Sequence, residues 1–184
     1  MQYLSKGKRS TVYLVRIKNK NYVKKIAKEW TIQNEVKWLK LLNKHKIGPK
    51  LISFGKDYLI EEYIEGLTIE EFLKNADRKD IKKVLLNCLN QCFILDKLKV
   101  NKFELTNPYK HIIITKTLKP IMIDFERCKY SLKPKNVSQF IEYILKLDLF
   151  KVDKEKIREL VKCYKEDYNL RNFKRILKEI SYTF

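Results

Sequence analysis

Four charged residues in the first 124 positions have types and spacing suited to phosphoryl transfer. In Pro120-Ile-Met-Ile-Asp-Phe-Glu-Arg127 an apolar, strand-like run ends at the carboxylate Asp124. A carboxylate is a hard oxygen ligand of the kind Mg²⁺ prefers. Lys25, in Tyr22-Val-Lys-Lys-Ile26, offers a point charge to phosphate oxygens. Glu35 follows ten residues later on a helical stretch and is a natural ion-pair partner for that lysine. Glu104, twenty residues before Asp124, can accept the hydrogen bond of an attacking hydroxyl. Near the start, Ser5-Lys-Gly-Lys-Arg-Ser-Thr-Val12 supplies backbone amides, hydroxyls and basic side chains able to cradle phosphates. Such chemistry demands little covalent work: it positions a polyphosphate, holds a metal and orients an acceptor.

The elements that must carry these residues follow from periodicity. Thr11–Ile17 and Tyr22–Ile26 are β-rich runs separated by Lys18-Asn-Lys-Asn21, a hairpin signature, and a short strand is expected at Tyr3–Lys6. Trp30, Ile32, Val36, Leu39, Leu41 and Leu42 give a helical spacing over Glu29–Lys44, closed by Gly48-Pro49. Lys50–Gly55 and Tyr58–Ile64 read as a second hairpin. From Thr68-Ile-Glu-Glu71, which has the form of a capping box, the pattern turns helical. Helices are predicted over Asp80–Lys97, Ser138–Leu147, Lys154–Asp167 and Leu170–Ile180, interrupted by loop and hairpin between 102 and 124. The prediction is an α+β chain: an antiparallel, β-rich part over 1–65 and a mainly helical part over 66–184 that contains Glu104 and Asp124.

Composition bounds the function classes. The chain has 184 residues, 45% of them apolar, enough for one domain or two small lobes. Its 41 Lys and Arg against 22 Asp and Glu give a net charge of +19, which attracts polyanions such as nucleotides, RNA or ribosomal surfaces. Most of these charges are lysines spread along the chain, a pattern that compositional bias also produces. Cys88, Cys92, Cys128 and Cys163 form no Cys-x-x-Cys pair, so core packing in a reducing compartment is expected. No run has the length of a membrane span and no signal-peptide segment stands at the start, so a cytoplasmic protein without membrane contact is expected.

Taken as an ordered set, these residues resemble the small atypical protein kinases: the RIO family, the kinase of the KEOPS tRNA-modification complex, and above all a group of short archaeal Ser/Thr protein kinases. The resemblance lies in Glu-Leu-Thr-Asn-Pro-Tyr-Lys-His111, in Ile-Asp-Phe-Glu-Arg127 and in Asn136-Val-Ser-Gln-Phe-Ile-Glu-Tyr143, and spans roughly Ser5 to Ile144. It implies a minimal two-lobed fold with Mg·ATP bound between the lobes. Gly7 and Ser10 would lie at the phosphate-covering turn, and Val12 and Val23 against the base. Lys25 would be held by Glu35, with Lys24 turned outwards. Backbone atoms around Glu62 and Ile64 would take the adenine. Glu104 would be the catalytic-loop carboxylate, with Lys25 and Asp124 the other catalytic groups, and Asp124 the metal ligand, joined by His111 or Asn107. Because an imidazole suits Mg²⁺ poorly, Mn²⁺ is the alternative metal.

The chain departs from that pattern in several places. Glu61 stands where an apolar residue usually precedes the adenine-binding segment, and a buried charge there needs a partner. Glu104 replaces Asp, His111 replaces Asn, and two extra residues separate them. Of the usual glycines only Gly7 remains, and an Ala-Pro-Glu motif is missing. The resemblance therefore implies a protein Ser/Thr kinase acting on a partner or on itself, or an ATPase switch. Two alternatives stay open: a catalytically weak pseudokinase, and an RNA- or ribosome-associated binding protein. Phosphorylation of small molecules ranks below these, because the helical part is small for such a substrate lobe.

Overall fold

The structure, a computed structural model, describes residues 1–149 and 153–182. The chain is α+β, and it divides into two compact units. The first comprises Met1–Gly66 together with Ile121–Cys128; the second comprises Leu67–Pro120 and the residues from Lys129 onward.

The first unit is built on an antiparallel sheet of β1 (Gln2–Lys6), β2 (Ser10–Ile17), β3 (Lys20–Ala27), β4 (Leu51–Phe54) and β5 (Tyr58–Glu62), in the order β1-β2-β3-β5-β4. The β2–β3 hairpin is tighter than its four-residue sequence signature: Ile17 pairs with Lys20, leaving only Lys18 and Asn19 in the turn, both at positive φ. Positive φ at both central residues is the mirror-image turn whose twist matches that of paired strands. Helix α1 (Glu29–Leu42) is inserted between β3 and β4. Its stripe Ile32, Val36, Leu39 and Leu42 is buried, and Ile32 and Val36 pack on Leu59 of β5. The helix ends at Leu42, before the predicted Lys44, because a 3₁₀ turn (Asn43–His45) and a left-handed Lys46 reverse the chain. Asn43 secures the reversal, donating to the carbonyls of Ile47 and Pro49 and accepting from the Leu51 amide.

The second unit is mainly helical. Helix α2 (Ile69–Asn75) opens on the expected capping box of Thr68 and Glu71. Helix α3 (Arg78–Lys97) starts two residues before its predicted beginning, because the Asp77 carboxylate accepts from the Asp80 amide and caps it. Beyond it lie α4 (Asn136–Leu147), α5 (Lys154–Asp167) and α6 (Leu170–Tyr182). Phe93 of α3 stacks on Phe173 of α6 at 4.3 Å, and Tyr164 of α5 joins them in the core. Two short strand pairs accompany the helices: β6 (Leu67–Thr68) with β8 (Ile112–Ile114), and β7 (Val100–Asn101) with β10 (Lys129–Tyr130). Strand β9 (Pro120–Met122) carries the chain back into the first unit. Among the described residues no helix is long and apolar enough to cross a membrane.

Ile121–Cys128, far along the chain from Met1–Gly66, groups with it in the first unit. The cause is local. Asn34 of α1 donates to the Glu126 and Cys128 carbonyls, at 2.7 and 3.2 Å, and Trp38 Nε1 donates to Cys128 at 2.9 Å. Phe125 is fully buried, and a Cβ on Gly48 would come within 2.8 Å of its ring and 3.2 Å of Leu39. Gly48, at φ +78°, is therefore fixed both by its backbone and by lack of room.

Helix α4 has no capping side chain of its own. Asp96, near the end of α3, does that work from forty residues away. Its Oδ1 accepts from the Asn136 amide (3.0 Å) and Nδ2 (2.7 Å), and its Oδ2 from the Val137 amide (3.3 Å) and the Tyr164 hydroxyl (2.9 Å). Asn136 passes the link on, donating to the Val100 carbonyl and accepting from the Lys102 amide. Burial raises the Asp96 carboxyl above the usual range, and the hydrogen bonds from Asn136, Tyr164 and Val137 oppose that rise. Removing Asn136 would strip donors from a buried carboxylate. Asn136→Ala is therefore expected to lower stability by about 2–4 kcal/mol, read from the urea midpoint. A loss under ~1 kcal/mol would show that the network contributes little.

Candidate functional site

Strand register decides which lysine faces the interior. Lys24 and Lys25 are adjacent, so their side chains leave β3 on opposite faces. Lys24 lies over the Tyr58 ring at 4.7 Å. Lys25 is buried, and three carboxylates surround its ammonium: Glu35 Oε1 at 2.8 Å, Asp124 Oδ1 at 2.8 Å and Glu61 Oε1 at 3.3 Å. Glu35 comes from α1, one residue before its buried Val36. Glu61 comes from β5, where it pairs in register with Val23. Asp124 follows β9. All four residues lie in the first unit.

The electrostatics follow from this crowding. Burial alone would pull the Lys25 ammonium down, but Glu35, Glu61 and Asp124 outweigh it and raise it above its ordinary value. The lysine is therefore held fully charged. Glu61 is pushed the other way from an ordinary carboxylate, up to about 7, chiefly by burial, with Lys25 opposing and Glu35 and Asp124 adding to the rise. Its Oε2 is buried without a hydrogen-bond partner among the described residues. Asp124 differs from both glutamates: its side chain is 39% exposed, against 1% for Glu35 and 5% for Glu61. Asp124 also sits at φ 60°, a left-handed conformation that aspartate tolerates better than most residues and that recurs at functional sites.

Glu35 does a second job. Its Oε1, already bonded to Lys25, also accepts from the Phe125 amide at 3.1 Å. One buried oxygen thus fixes both the lysine and the backbone just after Asp124. Glu126 adds a further carboxyl, raised by burial and by Glu35 and Asp124, with Arg9 at 3.9 Å. Arg9 lies in the basic Ser5–Val12 segment, whereas Asn34 and Trp38 lie outside the residues that sequence marks for the site. Asn34 and Trp38, four residues apart, share one helix side and are bonded to each other at 3.1 Å, and that spacing was the available signal.

Other predicted positions are placed as follows. Gly7 and Ser10 flank the β1–β2 turn, closed by a bond from the Gly7 amide to the Ser10 carbonyl (2.9 Å). A Cβ on Gly7 would make only ordinary contacts, so the geometry does not demand glycine there. Val12 pairs in register with Lys25 and Val23 with Leu14, all between β2 and β3. The Glu62 amide donates to the Lys50 carbonyl at 2.9 Å, and Ile64, half-buried, follows the end of β5.

Glu104, Asn107 and His111 belong to the second unit. Glu104 lies in a 3₁₀ turn (Phe103–Thr106), its Oε2 3.7 Å from the ammonium of Lys102, which is fully buried. The Asn107 amide donates to the Glu104 carbonyl, and the His111 amide to Pro108. The four cysteines are free; burial pushes the Cys88 and Cys92 thiols up, which suits core packing.

No protein-family model matches the chain, and no curated protein is similar to it in sequence.

Glu61 sets a pH dependence whose sign can be worked out. Its folded value is about 7 against 4.5 for an ordinary glutamate, so between these limits the folded chain keeps a proton that the unfolded chain has lost. That contribution to stability is present below 4.5 and is lost as pH rises through about 7. Glu61→Gln removes it. The variant is expected to gain stability relative to wild type between about pH 5 and pH 8, read by urea unfolding at both. A difference that stayed constant with pH would refute the assignment.

Proposed function

We propose that the chain is an ATP-dependent phosphotransferase of protein-kinase-like type, acting on the serine or threonine of a partner protein or on itself. The observation that carries this reading is the arrangement of Lys25, Glu35 and Asp124. A buried helix glutamate orients a strand lysine and, through the same oxygen, the backbone beside a half-exposed aspartate. This is the pairing that phosphoryl transfer requires of a kinase-like site.

In this reading Lys25 contacts the phosphates, and Asp124 leaves it to hold the metal. The residues fit Mg²⁺: Asp124 is a hard oxygen donor with enough exposure for an ion that keeps several of its waters. When bound, the metal neutralises charge on the phosphate oxygens. Glu104 orients the acceptor hydroxyl, and the buried Lys102 ammonium holds the Glu104 carboxylate in place. A second reading, nucleotide binding without turnover, is favoured by Glu61, whose carboxylate competes with phosphate for Lys25.

The test is γ-labelled ATP turnover by the purified protein, with Mg²⁺ and with Mn²⁺. Asp124→Asn keeps the left-handed backbone accessible and removes the charge. Autophosphorylation or ATP hydrolysis is expected to fall by about 100-fold or more, with the urea midpoint nearly unchanged. Turnover equal to wild type would overturn the assignment of Asp124. Nucleotide binding with no turnover in either metal would select the second reading.

A further inference from the structure

The Lys25 ammonium has three N–H donors, and three carboxylates stand within 3.3 Å of it. No donor is left over for a phosphate in this arrangement. Which carboxylate can yield is decided by burial. Asp124 is 39% exposed on a left-handed turn, whereas Glu35 and Glu61 are at most 5% exposed. Glu35 is tied down further by the Phe125 amide. Once Asp124 turns away, Lys25 keeps two buried carboxylates and presents one N–H. Around the phosphate-facing ammonium the fixed charge is then negative once Glu61 is ionised, above about pH 7, since two glutamates outnumber one lysine.

We propose that Glu61 is a ligand-selecting residue of this site: its carboxylate, locked beside Lys25, repels a polyphosphate that arrives without a divalent cation and admits one whose charge a cation has already offset. The inference rests on the nucleotide-binding reading above and adds a discrimination which the Lys25–Glu35 pair alone does not supply. Two features single out Glu61 rather than Glu35. Glu61 makes the longest of the three contacts to Lys25, so it contributes least to orienting the ammonium. Its second oxygen is also buried without a hydrogen-bond partner among the described residues, an unfavourable placement for a purely structural side chain. A group that is poorly satisfied in the resting fold and sits against the phosphate-binding cation acts on whatever binds there.

The prediction is a ratio, and a ratio separates selection from general damage to the site. ATP is titrated calorimetrically into wild type, Glu61→Gln and Glu61→Met, in EDTA and in excess MgCl₂, at about pH 8 so that Glu61 is ionised. Glutamine keeps the shape and an acceptor for Lys25; methionine keeps the volume without polarity. Wild type is expected to bind ATP in MgCl₂ and weakly or not at all in EDTA. Both variants are expected to bind metal-free ATP about tenfold or more tighter than wild type, with a much smaller gain for Mg·ATP. Thermal unfolding of the unliganded variants confirms that each is folded, and either folded variant suffices. Variants with the same EDTA-to-Mg²⁺ affinity ratio as wild type would overturn the role of Glu61 and leave nucleotide binding intact. Absence of ATP binding in all three proteins under both conditions would overturn the nucleotide reading, and the inference with it.

Discussion

One buried ammonium organises the strand-rich unit. An isolated charge in a protein interior is too costly to keep, so Lys25 can remain there only with carboxylates held against it. Each of those carboxylates must in turn be delivered by a different element. The register of β3 turns Lys25 inwards, the stripe of α1 brings Glu35 under the sheet, β5 supplies Glu61, and Ile121–Cys128 supplies Asp124. A slip of one residue in β3 would put Lys24 or Ile26 in the place of Lys25, and with Ile26 there the carboxylates would have no counter-charge. Much of the remaining detail in this unit serves that cluster. Asn34 and Trp38 hold the carbonyls of the 121–128 segment, and Gly48 leaves room for Phe125.

Sequence made some of this visible, and the boundary is physical. Alternation along Tyr22–Ile26 puts Lys24 and Lys25 on opposite faces, and the resemblance to kinase strand motifs is what assigns Lys25 to the site. The helical period of α1 placed Ile32 and Val36 in the core and Glu35 beside them. Short-range signals also carried: the Thr68–Glu71 capping box lies within four residues and forms as its pattern implies. What failed to show was long-range. Asp96 caps α4 across forty residues, so the start of that helix lay two residues before its predicted place. The two-residue strands β7 and β10 have no period to detect. The grouping of Ile121–Cys128 with the first unit is tied to bonds from Asn34 and Trp38, more than eighty residues earlier.

Glu61 shows a different limit. Its sequence position marked it as a misplaced charge, and the structure supplies the partner that a buried charge needs. A partner was expected; a shared one was not. Lys25 is bonded to Glu35 and Asp124 at the shorter distance, so Glu61 receives what is left of a charge already divided. Burial then outweighs the lysine's attraction, and the carboxyl moves up to about 7 where a simple ion pair would have moved it down. Types and spacing reveal that two groups can meet; they do not reveal how many others meet at the same atom.

Two buried carboxylates in this chain make the contrast plain. Asp96 spends both oxygens on four donors, drawn from Asn136, Val137 and Tyr164, and every one of those bonds joins elements of the helical unit. Glu61 has one oxygen on a shared ammonium and the other on nothing among the described residues. Full satisfaction is what a structural carboxylate needs, because burial is offset by the bonds it makes. Partial satisfaction leaves a group whose free energy falls when its surroundings change. Asp96 fixes the start of α4 whatever binds elsewhere. Glu61, beside the Lys25 ammonium in the proposed site, responds to the charge of what arrives.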